Sequence, residues 1–245
     1  MSAPVFVVGR DRLAVGRVVL DGAEGRHAVT VVRLAPGEDV VLVDGAGRRA
    51  RGTVTAVSGK DALDVDVVAV VDEPEPAPRL VVVQALAKGD RGETAVETMT
   101  EVGVDEVVPW AAARCVTRWR ADRADKALAR WRSTAQAAAK QSRRARFPVI
   151  APVASTDEVV SRLAAAAVAV VLHEEAAEPL ASLLPPSAGE IVVVVGPEGG
   201  ITPEELAAFA AAGASAYRIG PAVLRTSTAG TAALAVLLSR TDRWA

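Results

Sequence analysis

From Leu80 onward, Val-rich runs of strand length alternate with Ala-rich stretches of helix length, and this alternation constrains the fold more than any other feature of the chain. Strands are predicted over Leu80 to Leu86, Glu106 to Trp110, Val168 to Leu172, Ile191 to Val195 and Ala216 to Ile219. Helices are predicted over Arg91 to Val102, Asp122 to Ser142, Thr156 to Ala166, Pro203 to Ala212 and Thr228 to Arg240. Continuous apolar runs mark strands buried on both faces, and strand–helix–strand order makes successive strands parallel. The expected class is α/β, with a mostly parallel sheet and helices on both faces. In such sheets ligands bind beyond the carboxyl ends of the strands, so the loops that follow the strands are expected to hold the chemistry.

The first seventy residues have a different rhythm. Pro4 to Val8, Arg17 to Leu20, Asp39 to Val43, Ala50 to Val57 and Leu63 to Val70 read as strands, parted by turn signals such as Pro36-Gly37, Asp44-Gly45 and Ser58-Gly59. Gly22 to Leu34 has room for one short helix. A small β-barrel-like module fits this spacing. The stretch Asp72-Glu73-Pro74-Glu75-Pro76-Ala77-Pro78 follows, and proline at that density blocks helix and ladder alike. The division expected is therefore residues 1–72, a linker at 73–78, and a second domain over 79–245.

Half the chain is apolar, mostly Val, Ala and Leu, which suits buried parallel strands under Ala-rich helices and argues against disorder. A single cysteine, Cys115, provides neither an internal disulfide nor a Cys/His metal cluster, so no metal is expected. Met1 to Arg12 lacks a signal-peptide core, and no apolar run reaches membrane-spanning length. The expectation is a soluble, cytoplasmic protein. The net charge of −2 hides an asymmetry: Arg114 to Arg146 holds eleven Lys/Arg against two Asp/Glu, a local +9, leaving −11 for the rest. Such a segment is either a solvated helix face or a surface for a polyanion.

Three strand-end segments stand out. Ile191 to Val195 runs into Gly196-Pro197-Glu198-Gly199-Gly200-Ile201 and then a helix start, with Thr202 as N-cap, Pro203 at the first helical position and Glu205 completing a capping box. Its glycines allow close approach of a ligand to the backbone, and it is neither GxGxxG nor a Walker loop. It reads as a ligand loop or as a tight strand-to-helix turn. The second segment, Tyr217 to Gly230, ends a short strand in Gly220-Pro221 and carries Arg225 ahead of a final apolar helix, which Thr226 or Ser227 can cap. Arg225 is placed either to pair with a surface carboxylate or to bind a phosphate or carboxylate ligand. The third, Val170 to Ala176, puts His173 and Glu174 just past a buried strand.

In this order, Gly196-Pro197-Glu198-Gly199-Gly200 with Thr202-Pro203-Glu204-Glu205, then Ile219-Gly220-Pro221-Ala222-Val223-Leu224-Arg225, then a Ser/Thr-Ala helix start, resemble the SPOUT methyltransferase superfamily. Within it the chain is similar to the ribosomal small-subunit methyltransferase E family, which methylates N3 of a uridine in 16S rRNA. Glu97 to Val104, Gln141-Ser142-Arg143-Arg144 with Pro148, and Arg26-His27 with Val32-Arg33-Leu34 and Pro36-Gly37 extend the likeness over essentially the whole chain. The resemblance implies a PUA-like N-terminal domain, a C-terminal trefoil-knotted α/β domain and a homodimer. The knot follows from the resemblance alone, since connections are almost never threaded.

Carried over residue by residue, the resemblance implies an S-adenosyl-L-methionine pocket formed by Leu172, His173 and Glu174, by Gly196, Pro197, Glu198, Gly199 and Gly200, and by Ile219, Leu224, Arg225, Thr226 and Thr228. One departure is that the family commonly reads Leu-Arg-x-Glu-Thr-Ala where this chain has Ser227 in place of the glutamate. Uracil N3 lies on the pairing edge and carries a proton, so the target must be unpaired or flipped and must lose that proton. Arg225 is the candidate for stabilising the developing imide charge, and Glu198 the candidate proton acceptor or else a group that orders the loop. Candidate contacts to 16S rRNA of the small ribosomal subunit are Arg26, Arg33, Arg123, Lys126, Arg130, Lys140, Arg143, Arg144 and Arg146, with Trp119 or Trp131 available to stack on a base. The rival readings are ribose 2′-O methylation, a non-catalytic RNA-binding protein, and a nicotinamide enzyme; the missing GxGxxG after Leu86 counts against the last.

Overall fold

The computed structural model describes residues 3–119 and 121–244, with the side chains of residues 121–123 outside the description. The chain divides into two compact units, Met1–Glu75 with Ala139–Phe147, and Pro76–Ala138 with Pro148–Ala245.

In the first unit, β1 (Val5–Val7), β2 (Gly16–Leu20), β3 (Asp39–Val43), β4 (Arg48–Ser58) and β5 (Ala62–Asp72) form one sheet in the order β1-β3-β4-β5-β2. Only β1 and β3 run parallel; the other pairs are antiparallel. Among the described residues β1 and β2 are its two edges, so the hydrogen bonding of the expected barrel does not close on itself. Period-two alternation sorts β4: Ala50 and Val54 enter a core with Phe6, Leu20, Leu42, Leu63 and Val65, while Arg49, Arg51 and Thr53 face outward. The expected single helix over Gly22 to Leu34 is instead α1 (Gly22–Arg26) followed by a π-helical turn, His27–Val32, that Arg33 ends in the left-handed region at φ 63°.

The second unit contains β6 (Arg79–Ala85), α2 (Arg91–Val102), β7 (Glu106–Trp110), α3 (Ala121–Gln141), β8 (Val149–Ile150), α4 (Thr156–Ala165), β9 (Val168–Leu172), β10 (Glu190–Val195), α5 (Pro203–Ala211), β11 (Ser215–Tyr217) and α6 (Thr226–Leu238). Six strands form a wholly parallel sheet in the order β11-β9-β10-β6-β7-β8. The two-residue β8 escaped sequence reading because so short a run has no periodicity to detect. Central strands β6 and β10 are buried along almost their whole length, as their apolar runs Leu80 to Val83 and Ile191 to Val195 require.

The end of α3 was expected to lie in the second domain, yet Ala139–Phe147 packs within the first unit. Ala139 and Ala145 are fully buried, Lys140 pairs with Glu24 at 2.7 Å, and Phe147 N donates to Gly45 O at 2.8 Å. At the amino end of the parallel sheet, Arg79 and Arg162 bracket Glu106 and Glu190 in a four-member ion cluster, with Arg162 2.6 Å from Glu106 and Arg79 2.6 Å from the same carboxylate. Asp105 is held there too, by Arg243 at 2.6 Å. These charges serve packing at one end of the sheet, while the loops at the other end remain open to a ligand.

Candidate functional site at the carboxyl ends of three strands

Val195 ends β10, and the chain turns through residues 196–201 into α5. The predicted capping box is present: the Thr202 hydroxyl accepts from Glu205 N at 3.2 Å, and the Glu205 carboxylate accepts from Thr202 N at 3.0 Å. Glu205 does more than its sequence signature shows. It is buried, and its second oxygen accepts from Ala113 N at 2.8 Å and the Thr156 hydroxyl at 3.3 Å. One carboxylate thus ties the end of the Gly-rich loop to the segment after β7 and to the start of α4. Within the loop, Gly200 adopts φ +74° and donates to Pro197 O at 2.9 Å. A Cβ on Gly199 would lie 2.9 Å from Arg114 O, so a larger residue would push these two segments apart.

Glu198 points to neighbours outside its own loop. Its carboxylate accepts from Lys88 N at 3.2 Å and pairs with Arg91 at 3.1 Å. Burial alone would raise its pKa; its own amide, the Lys88 amide and the Arg91 guanidinium outweigh that and hold the carboxyl below the usual glutamate range. Arg91 was not singled out in the sequence. It begins α2 just past the end of β6, and strand-end position was the signal that could have found it.

The final segment is anchored by hydroxyl chemistry. Gln84 at the end of β6 donates to the Thr226 hydroxyl at 2.8 Å, which donates in turn to Gly196 O at 2.9 Å, and both side chains are buried. This explains why the expected cap by Thr226 or Ser227 does not form. Thr226 is the first residue of α6, its hydroxyl is engaged by the Gly-rich loop, and Arg225 takes the cap position with no side-chain cap bond. Ser227 is buried in the first turn. The strand expected over Ala216 to Ile219 stops at Tyr217, leaving Ile219 in the loop. Tyr217 O accepts from His173 N at 3.0 Å, and Arg218 donates to the carbonyls of Ala176 and Ala177, which joins the β9 and β11 loops. Glu175 N donates to His173 Nδ1 at 3.2 Å, so the neutral ring carries its proton on Nε2.

A cavity of about 350 Å³ lies among these loops. Leu172, His173 and Glu174, then Gly196, Pro197, Glu198 and Gly200, then Ile219, Leu224, Arg225 and Thr226 all line it. Gly199 and Thr228 do not; Gly199 faces Arg114, and the Thr228 hydroxyl donates to Arg225 O at 3.2 Å. Arg91, Ile201, Tyr217 and Arg218 join the lining unpredicted. The Arg225 side chain is exposed and makes no hydrogen bond or ion pair among the described residues, which distinguishes it from Arg91 and Arg218.

The basic segment is less uniform than its charge suggests. Lys126 is exposed, Arg130 is exposed and 3.6 Å from Glu93, and Arg132 reaches Ile150 O at 3.4 Å. Lys140 is engaged by Glu24, and Arg146 by Glu75 at 2.9 Å and Glu73 O at 3.1 Å. Arg143 has left-handed backbone at φ 61°, and both it and Arg144 have interaction partners. The side chain of Arg123 lies outside the described residues. Arg26 and Arg33 are exposed on the first unit. Trp131 is buried with its ring edge-on to Trp119 at 5.2 Å, so it belongs to the core. Among the described residues no three His, Cys, Asp or Glu side chains are grouped as for a metal ion, and no helix is long and apolar enough to cross a membrane.

A parallel sheet with a glycine-loop cavity at its carboxyl end, in a chain that also carries a small β-unit, defines a class, and comparison with known proteins gives it a family. The family described as RNA methyltransferase domain matches residues 73–238, and that described as RNA methyltransferase PUA domain matches residues 20–68. A relative in Mycobacterium tuberculosis, ribosomal RNA small subunit methyltransferase E, is 49% identical over 230 residues, 92% of this chain and 87% of its own. The ribosomal RNA small subunit methyltransferase E of Neisseria gonorrhoeae, solved bound to S-adenosyl methionine, has a TM-score of 0.85 at 28% identity, covering 97% of this chain and 98% of its own. A methyltransferase from Legionella pneumophila, solved with bound SAM, has a TM-score of 0.85 at 25% identity, covering 98% of this chain and 99% of its own. The chain belongs to the RNA methyltransferase family that includes ribosomal RNA small subunit methyltransferase E.

Proposed function

We propose that this protein transfers the methyl group of S-adenosyl-L-methionine to N3 of a uridine in 16S rRNA of the small ribosomal subunit. The observation that carries the proposal is the cavity formed by the β9, β10 and β11 loops, in a chain 49% identical to a ribosomal RNA small subunit methyltransferase E. The cavity suits that cofactor. Its volume lies within the roughly 300–1,000 Å³ typical of small-ligand sites. Leu172, Ile201, Ile219 and Leu224 provide apolar surface for an adenine, the glycine loop presents backbone groups, and Arg225 offers a cation to a carboxylate or to the substrate. When bound, the cofactor supplies an electrophilic methyl on sulfonium sulfur.

The chain's own residues do the positioning. Glu205, and the Gln84–Thr226–Gly196 link, fix the glycine loop to three neighbouring segments. Glu198, held ionised by Arg91 and the Lys88 amide, tethers that loop; a carboxylate so stabilised is a poor acceptor for an imide proton. His173 lines the cavity with its ring oriented by the Glu175 amide on Nδ1. The N3 proton passes to solvent water, and Arg225, whose side chain is exposed and has no partner among the described residues, stabilises the negative charge left on the uracil ring until N3 takes the methyl group. Gly199 and Thr228 act by shaping the loop and the α6 start. In this reading the C-terminal domain, 79–245 apart from the Ala139–Phe147 segment that packs within the first unit, is a trefoil-knotted SPOUT domain, residues 1–72 form a PUA-like RNA-binding domain, and 73–78 link them. The enzyme works as a homodimer in the cytoplasm. Exposed Lys126, Arg130, Arg26 and Arg33 take RNA phosphates. Isotope transfer from labelled S-adenosyl-L-methionine to small subunits tests the reading, and absence of label in RNA with the cofactor bound contradicts it.

A further inference from the structure

The first unit contains a second cavity, of about 470 Å³, on the outward face of its sheet. It is built by sequence alternation. Arg49, Arg51 and Thr53 are two residues apart on β4 and project to the same side, opposite Val43, Val41 and Asp39 on β3. Arg143, from the segment after α3, is a third arginine in the lining. The ladder between β4 and β5 shifts register here: Arg51 pairs with Ala69 and Gly52 with Val67, leaving Val68 as an extra residue at the cavity wall. Bulges of this kind interrupt pairing and re-aim side chains, and they recur beside binding sites. A Cβ on Gly52 would lie 2.5 Å from Asp66 O, so the bulge itself depends on glycine.

The electrostatics select the ligand. Three arginines line the cavity against one carboxylate, Asp39, which already accepts from the Thr53 hydroxyl at 2.9 Å. Arg49 is fixed in place by Arg143 O at 2.7 Å and Glu73 at 3.0 Å. Its Nε is buried and has no hydrogen-bond partner among the described residues, a donor that burial leaves costly unless something accepts from it. The Arg51 side chain is exposed and makes no hydrogen bond or ion pair among the described residues. A fixed guanidinium beside a free one, with Val41 and Val68 as apolar wall, suits a phosphate carried on the sugar of a nucleoside.

We propose that this cavity binds the phosphate of a nucleotide unit, with Arg51 as its principal cation. The phosphate comes either from an RNA chain, which rests on the function proposed above, or from a free nucleotide, which does not. The test uses the full-length protein, wild type and the exposed-site variants Arg51→Ala and Arg51→Glu. Uridine monophosphate, inorganic phosphate and a single-stranded RNA oligonucleotide are titrated at several salt concentrations. An RNA phosphate predicts a loss of about 3- to 10-fold in RNA affinity for Arg51→Ala, a larger loss for Arg51→Glu, and a salt slope reduced by about one. A free nucleotide predicts that uridine monophosphate binding is lost in both variants while RNA affinity is unchanged. S-adenosyl-L-methionine affinity, read in parallel, reports a folded second unit and so separates this site's failure from that of the proposed activity. Wild type that binds none of the probes, or variants that bind all of them as wild type does, overturns the proposal.

Discussion

Glu198 and Arg225 are charged residues on the same cavity in opposite situations. Glu198 is held by two amides and Arg91, whereas Arg225 is exposed and unpaired among the described residues. A tether and a catalytic cation respond differently to substitution. Glu198→Gln removes the charge but keeps the shape, and the expected result is cofactor affinity weakened several-fold (~3- to 10-fold) with turnover at saturating cofactor nearly unchanged. Loss of turnover with affinity retained would make Glu198 the proton acceptor after all. The pH dependence has a definite sign. A carboxyl whose folded pKa is depressed contributes its full stabilisation above the ordinary glutamate range and loses it as pH falls through the folded value. Cofactor affinity should therefore be steady from about pH 7 down to the ordinary glutamate range and decline below it in wild type, and the decline should be smaller in Glu198→Gln. Arg225→Ala should lower turnover by roughly 10²- to 10³-fold, the usual scale for removing a group that stabilises developing charge. Turnover within a few-fold of wild type would remove Arg225 from the chemistry.

At the scale of elements, the buried Glu205 carboxylate joins the glycine loop, the segment after β7 and the start of α4. Glu205→Ala removes a capping box and takes the acceptor from the part-buried amides of Ala113 and Thr202. The expected cost is roughly 2–4 kcal/mol in urea unfolding, with cofactor affinity falling as the loop loosens. A cost below about 0.5 kcal/mol would mean that the loop is held by other contacts. The strands and helices of the second unit were legible because their signals are local: β7, β9 and α2 were bounded in full by apolar runs and by turn residues. The capping box at Thr202 was legible for the same reason. Pairings distant in sequence were not. Nothing near Glu198 in the chain announces Arg91, more than a hundred residues earlier, and nothing near Thr226 announces Gln84. Lys140 and Arg146 looked available for RNA because sequence shows charge without showing its partners, Glu24 and Glu75.

At the scale of the molecule, the parallel sheet separates two tasks. Its amino end gathers Arg79, Glu106, Arg162 and Glu190 into an ion cluster and clamps Asp105 with Arg243, contacts that serve stability. Its carboxyl end leaves three loops around a cavity, where ligands of open parallel sheets bind. The proposed activity requires that cavity to hold S-adenosyl-L-methionine and present its methyl group to a uridine. The most direct measurement is to incubate the purified protein and methyl-labelled S-adenosyl-L-methionine with small ribosomal subunits lacking the modification, digest the RNA and identify the labelled nucleoside by mass spectrometry. Labelled N3-methyluridine is the predicted result, and it would show that Ser227 supports the reaction. Label on a ribose, or no label in RNA despite cofactor binding, would contradict the account.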